Sequence, residues 1–324
     1  MKKVAVIPAV VLAALCTFTG CKKEEVEKVI APLVSDGQTT ESTEEKDPII
    51  PEIDTSVEIQ AGSRVAVVSK STSGEFWGLV KKGMEQAIAD VNEAYGFKKE
   101  DQVTMTFEGA SDEKDVESQV NTIDAVIAEN PDVLCVSASD MDSLQAQLEA
   151  AKENGIPVVA FDSGVTDSKM IRAFRGTDNT RVGEIAAYRL ATAIGKMGKV
   201  AVFSAQEKTQ EVLDKYPQLD GVFCDNADIA DLYLDMKKDE TKDSIVMVGV
   251  DATAKQQEAI RNSKEVGVVS QQPYAMGYQT IWTALLTTAP KKSVEIKRNV
   301  RIDPAWIDSS NIDDPTYSSY LYAN

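Results

Sequence analysis

The sequence predicts an α/β protein of two similar lobes, each a parallel sheet with helices on both faces. Two observations carry this. Beyond about residue 62, apolar runs of strand length alternate with amphipathic stretches of helical period, the pattern of a parallel sheet covered by helices. After GTDN at 176 to 179 a second run of the same kind begins, which implies a second lobe.

Taken in order, RVAVVS (Arg64 to Ser69) is the first strand. A helix is expected from about Phe76 to Tyr95, because Leu79, Val80, Met84, Ala87, Ile88 and Val91 recur at helical spacing. Strand Val103 to Phe107, helix Glu113 to Glu129, strand Val133 to Ser137 and helix Asp142 to Asn154 follow. Gly155 stops that last helix and Pro157 begins the strand ending at Phe161. A strand at Ile171 to Phe174 leads to GTDN. The second run reads helix Arg181 to Gly195, strand Lys199 to Ser204, a short helix near 209 to 216 and strand Gly221 to Cys224. It continues with helix Ile229 to Lys237, strand Ile245 to Val250, helix Thr253 to Ser263 and strand Val266 to Ser270.

Ahead of these lobes stand Lys2-Lys3, an apolar run from Val4 to Phe18, and Thr19-Gly20-Cys21. The run is short for a membrane span and ends in small residues, as a secretory signal does, so residues 1–20 are expected to be cleaved. Thr19-Gly20-Cys21 resembles a bacterial lipobox, with Phe18 where that motif usually has leucine, which makes Cys21 the lipidated residue. Residues 21–62 are rich in Glu, Lys, Thr, Ser and Pro without a sustained apolar period, and read as a disordered acidic tether.

Composition removes several functions. The chain carries a formal charge of −18, and losing residues 1–20 takes away two lysines and no acid. So acidic a chain, without a basic patch interleaved with aromatics, excludes nucleic acid as a partner. The absence of histidine removes His-based triads, HExxH zinc sites and histidine general bases. Cys135 and Cys224, each inside an apolar run, read as buried small hydrophobes. Asp225, Asp228, Asp231 and Asp313-Asp314 form no D-x-[DN]-x-[DN]-G loop, so no metal and no cofactor are expected.

Open parallel sheets bind ligands beyond the carboxyl ends of their strands. Here those ends carry STSGEFW (71 to 77), Asp162-Ser163, Asp225-Asn226, Asp251 and Gln271-Gln272. Carboxylates and amides pair with several hydroxyls at once, and Phe76 and Trp77 either stack on the apolar face of a pyranose or staple the first helix to the core.

The segments AVVSKSTSGEFWGLVKKGMEQA, IPVVAFDSGV, GTDN, YPQLDGVFCDN, MVGVDAT and GVVSQQPYAMGY together resemble the ribose-type sugar-binding proteins of ABC transporters, which have the periplasmic binding protein type I fold. The resemblance covers nearly the whole globular region. It implies two lobes joined by three crossovers, with the ligand between them. Position by position it implies ligand-binding roles for Phe76, Trp77, Asp162, Asn226, Asp251 and Gln271, and, with a weaker correspondence, for Ser137. Ser163 stands where many pentose binders have arginine, so the sugar is not named by the resemblance. Trp306, in the closing tail, reads as a packing residue. The implied boundaries are 63–175 with 273–300 for the N-terminal lobe, and 176–272 with 301–324 for the C-terminal lobe.

One departure stands out. Relatives carry a further helix and strand between VAVFS and the helix leading into YPQLDGVF, whereas here Ser204 runs almost directly into Thr209. The second lobe is therefore expected to lack about one helix and one strand near 205–209, roughly one βαβ increment. In a 2-1-3-4-5 order the second strand lies at the sheet edge, so the topology survives its loss, but Val200 and Val202 should lose cover.

The resemblance implies a lipid-anchored, monomeric extracytoplasmic receptor that delivers a small-molecule sugar to an ABC transporter permease by lobe closure and performs no chemistry. Alternatives are a sensor presenting sugar to a chemoreceptor or histidine kinase, and a degenerate receptor with impaired binding. An enzyme is disfavoured, because no GxGxxG follows the first strand and no Walker A motif occurs.

Overall fold

Val65, Val67 and Val68 lie on the first strand of the globular region with at most 1% of their surface exposed. In the computed structural model, which describes residues 16–17, 50–204, 209–237, 244–290 and 294–322, they sit near the centre of the N-terminal of two units. This unit comprises Thr43–Asn179 and Gln271–Pro304, and the C-terminal unit contains Thr180–Ser270 and Ala305–Asn324. From residue 50 onward the chain passes between units three times.

The N-terminal unit is built on strands β2 (Arg64–Ser71), β3 (Thr104–Ala110), β4 (Val133–Val136), β5 (Val158–Phe161), β6 (Ala173–Thr177) and β11 (Asn299–Ile302). Their spatial order is β11-β6-β5-β4-β2-β3, and every pair is parallel. Because side chains alternate across a strand, the sheet builds two cores. Val65, Val67, Cys135, Val159 and Phe161 pack with helices α1 (Gly74–Tyr95) and α8 (Pro273–Leu286). Ala66, Val68, Leu134, Val136, Val158 and Ala160 pack on the other face with α2 (Val116–Ala128) and α3 (Gln145–Glu153). Helices α1 and α8 approach backbone to backbone through two glycines. A Cβ on Gly83 would lie 2.0 Å from the Tyr274 carbonyl oxygen, and one on Gly277 would lie 2.1 Å from that of Val80.

In the C-terminal unit β7 (Lys199–Phe203), β8 (Gly221–Cys224), β9 (Val246–Val250) and β10 (Gly267–Ser270) run parallel. β12 (Ala305–Asp308) closes one edge antiparallel to β10, and the two-residue strand β1 (Cys16–Thr17) pairs antiparallel with β7 at the other. Helices α4 (Asn179–Ala193), α5 (Thr209–Lys215), α6 (Ala227–Met236) and α7 (Ala254–Arg261) complete it. On one face Leu213, Ile229 and Tyr233 cover Ala201, Phe203 and Cys224. On the other, Val182, Ala186 and Leu190 pack with Val248, Val250, Val269 and Trp306. β7 hydrogen-bonds directly to β8, as β2 does to β4 in the other unit; among the described residues β3 has no counterpart of its length. Val200 and Val202 are only half-buried.

Two expected boundaries move. Residues 50–62, read as the end of the tether, are packed: Val57 and Ile59 lie in the core with α1 and α8, and Tyr95 donates a 2.6 Å hydrogen bond to the Val57 carbonyl. Their apolar side chains are too few and too spaced to show a period, and a tertiary groove takes them in. Residues 176–179, 271–272 and 301–304 belong to the N-terminal unit, because β6 extends to Thr177 and β11 pairs along it. Cys21, the remainder of the expected signal and tether up to residue 49, and the junction 205–208 lie outside the described residues. Among the described residues no helix is long and apolar enough to cross a membrane.

Candidate functional site

In the N-terminal unit the strand order reverses between β2 and β4, the position at which open sheets leave a crevice at their carboxyl ends. A β-bulge at this end of β2 puts Lys70 between Ser69 and Ser71, whose partners Gly109 and Ala110 are consecutive. Bulges redirect a side chain, and Lys70 reaches Asp162, which follows β5, with its Nζ 3.0 Å from Oδ2. Ser137, fully buried after β4, donates to the same oxygen at 3.1 Å, and Ser163 does so at 3.3 Å. Three donors thus converge on one oxygen of a carboxylate whose side chain keeps 16% of its surface exposed. Asp162 holds this pose with φ +55, in the left-handed region, while its amide donates to the Arg175 carbonyl at 2.9 Å. Beneath it, buried Gln119 on α2 ties the strand ends together: Nε2 donates to the carbonyls of Ser69 (3.2 Å) and Ser137 (2.9 Å), and Oε1 accepts from the Ser139 amide (2.8 Å).

Phe76 and Trp77 differ in burial. Trp77, 3% exposed, packs edge-on against Phe161 in the core and donates from Nε1 to Glu113 at 2.5 Å. Phe76 is half-buried, edge-on to Trp77 with ring centroids 5.0 Å apart, and is the ring left accessible. Gln271, expected at a strand end of the second lobe, lies in the N-terminal unit. Its Oε1 accepts from Thr177 Oγ1 at 2.7 Å.

The C-terminal unit repeats the acidic motif. Asp251, just after β9, has φ +79 and donates its amide to the Val269 carbonyl at 3.1 Å, the same backbone arrangement as Asp162. The residue is 3% exposed. Its Oδ2 accepts from the Ala227 amide at the start of α6 (2.8 Å), and its Oδ1 accepts from the Tyr322 hydroxyl (2.7 Å). Asn226 caps α6, with Oδ1 accepting from the Ile229 amide at 3.1 Å and Nδ2 donating to Asp225 at 2.9 Å. Burial raises the Asp225 carboxyl above its ordinary range, opposed by hydrogen bonds from Ser204 and Asn226. Asp231 is raised by burial as well, opposed chiefly by its hydrogen bond from Thr253. Among the described residues no cluster of acids or cysteines is arranged to hold a metal ion.

Cys135 and Cys224 are buried free thiols whose ionisation burial suppresses. Trp306, 9% exposed, packs beneath Arg189 with the guanidinium 4.9 Å from its ring. Three residues at these strand ends escaped the sequence reading. Lys70 carries a weak signal, a lone lysine closing an apolar strand, while Gln119 and Tyr322 carry none, since their partners are remote in sequence.

Residues 65–208 and 204–289 match the periplasmic binding protein domain family, in two stretches that meet at 204–208. The ribose import binding protein RbsB of Bacillus subtilis (strain 168) is 24% identical over 202 residues, covering 51% of this chain and 66% of that protein. The D-ribose/D-allose-binding protein of Pseudomonas aeruginosa is 31% identical over 136 residues, 39% of this chain and 40% of its own. The chain therefore spans less than two thirds of the length of these curated relatives. Among solved structures, an ABC transporter solute binding protein from Agrobacterium vitis with bound D-fucose superimposes with a TM-score of 0.71 at 26% identity, covering 80% of this chain and 100% of that one. A second from the same organism, bound with alpha-D-tagatopyranose, gives 0.70 at 24% identity, covering 81% and 100%. The family match runs through both units, and each has the parallel, helix-covered sheet of the type I fold: this chain belongs to the periplasmic binding protein domain family.

Proposed function

We propose that the protein is an extracytoplasmic receptor that captures a sugar, closes its lobes on it and delivers it to an ABC transporter permease, without catalysis. The observation that carries this reading is the pair Asp162 and Asp251. Each stands just past a strand, in left-handed backbone, with its carboxylate oriented by fixed donors. A rotamer fixed before binding lowers the entropy lost when a hydroxyl is engaged, and a carboxylate is the acceptor a polyol needs. Phe76 supplies the apolar face, Asn226 and Gln271 complete the polar lining, Ser137 orients Asp162 from beneath, and Trp77 supports Phe76 from the core. The named ligands of similar proteins, ribose, allose and fucose among them, favour a neutral monosaccharide. In this reading residues 1–20 are removed, Cys21 carries the lipid anchor, the receptor is monomeric, and no nucleic acid, metal or cofactor takes part.

A specific observation favours a weakened form of this receptor. β7 pairs directly with β8, Val200 and Val202 are half-buried, and the family match breaks at 204–208. All three support a second lobe shortened by about one helix and one strand. A sensor that presents sugar to a chemoreceptor or histidine kinase would use the same strand ends.

The test is a thermal-shift screen of residues 22–324 against pentoses, hexoses and their alcohols, inositol included. A concentration-dependent rise in melting temperature, abolished by Asp251→Ala, supports the receptor. A cooperative melt with no responder refutes sugar binding, and loss of the cooperative melt assigns the defect to the shortened lobe.

A further inference from the structure

The C-terminal tail lies across the strand ends of the C-terminal unit. A six-residue 3-10 helix, Pro315–Tyr320, is capped by Asp314, which accepts from the Thr316 amide at 2.9 Å. At the end of this helix and just after it the chain is pinned twice. Ser270 Oγ, at the end of β10, donates to the Tyr320 carbonyl at 2.5 Å, and the Tyr322 amide donates to the Ala252 carbonyl at 3.1 Å. These anchors deliver the Tyr322 hydroxyl, in a residue only 5% exposed, to Asp251 Oδ1.

We propose that Tyr322 is a positioning residue of the ligand site, and that the last turn of the chain belongs to the binding apparatus. The inference rests on the sugar-receptor reading. A carboxylate can rotate about its terminal torsion, which is soft and roughly two-fold. The Ala227 amide holds one oxygen, and the Tyr322 hydroxyl holds the other and sets the plane. In the N-terminal unit the donors on Asp162 come from β2, β4 and its own loop. In the C-terminal unit β7 ends at Phe203, the sequence KVAVFSA (199–205) has alanine where RVAVVSK (64–70) has Lys70, and the tail supplies a donor. A segment serving to block the site would have to leave when sugar enters. Here Tyr322 itself is buried, its amide is held by the Ala252 carbonyl and the Tyr320 carbonyl just before it by Ser270, which suits a permanent support.

The test uses the full chain and four variants: Tyr322→Phe, Asp251→Asn, the two combined, and Tyr317→Phe in the same tail. Affinity for D-ribose and D-allose is measured by titration calorimetry up to millimolar sugar. Tyr322→Phe keeps the buried ring and removes only the donor, so affinity should fall about tenfold, the scale of one hydrogen bond to a charged group. In the Asp251→Asn background the same change should cost nothing further, and Tyr317→Phe should bind as the wild type. Wild-type or tighter binding by Tyr322→Phe overturns the proposal, as does an equal loss in the Asp251→Asn background, which would mark a general structural effect. A wild type that answers neither sugar nor any other monosaccharide overturns the receptor reading and this inference with it; the preceding outcomes, in which the wild type binds, overturn the inference alone.

Discussion

Glu265 is a carboxyl buried where nothing in the proposed function uses it. It follows α7, is 2% exposed, and receives one long contact, 3.5 Å from Gln256 Nε2 to Oε1. Oε2 has no hydrogen-bond partner among the described residues. It lies so close to β9 that a Cβ on Gly249 would come within 2.5 Å of Oε1. Burial lifts its pKa well above the ordinary carboxylate value of 4.5, with Asp231 raising it further and Gln256 and Lys237 opposing. The folded protein therefore holds a proton that the unfolded chain releases above pH 4.5. The stability this contributes is fully present below that pH and is lost as pH rises toward the folded pKa. The slope for one proton is about 1.4 kcal/mol per pH unit, so two units above 4.5 the loss reaches at most roughly 3 kcal/mol. Glu265→Gln copies the shape of the protonated acid and cannot ionise. In paired urea titrations from pH 4 to 7.5, followed by far-UV circular dichroism, the variant should track the wild type below pH 4.5 and gain on it steadily above. By pH 6.5 that gain corresponds to a rise of roughly 5–10 °C in Tm for a unit of this size. A stability difference independent of pH would refute the reasoning, because it would mean that Glu265 ionises alike in the folded and unfolded chains.

Other substitutions separate fold from site. Trp77→Ala should destabilise the N-terminal unit by about 3–5 kcal/mol in urea unfolding, as loss of a buried indole does. Phe76→Ala should leave that midpoint nearly unmoved and instead weaken sugar binding by calorimetry. Gly83→Ala places a methyl against the Tyr274 carbonyl of α8, a backbone atom that cannot step aside. A loss of at least about 3 kcal/mol is expected, and a Tm within 2 °C of wild type would contradict the close helix approach. Lys70→Met removes one of three donors on Asp162 while keeping the aliphatic stem. It should lower sugar affinity about tenfold with little change in melting temperature.

Much of the architecture was legible because its causes are local. The continuous apolar runs at Val65, Val133 and Val158 specify buried parallel strands, and the spacing of Val80, Met84, Ala87 and Val91 specifies the buried face of α1. Asp162 and Asp251 were findable for the same reason, since a polar residue directly after an apolar strand announces the carboxyl edge of a sheet. Absence of histidine and the acidic balance narrowed the chemistry without reference to fold.

What the tertiary structure alone decided depends on residues far apart in the chain. Lys70 joins the site because a bulge turns it toward Asp162, and a bulge is set by pairing with β3. Val57 and Ile59 are ordered because α1 and α8 form a groove that no local period reveals. Trp77 and Phe76 are neighbours in sequence, yet only packing against Phe161 determines which ring is buried and which stays accessible. Tyr322 reaches Asp251 across 71 residues, through anchors on Ala252 and Ser270 that exist only once β9 and β10 lie side by side. Periodicity and composition record the free energy of burying one face of a local segment, and so they determine the elements and their order. The orientation of a carboxylate is an energy shared among several segments, and no single stretch of sequence contains it.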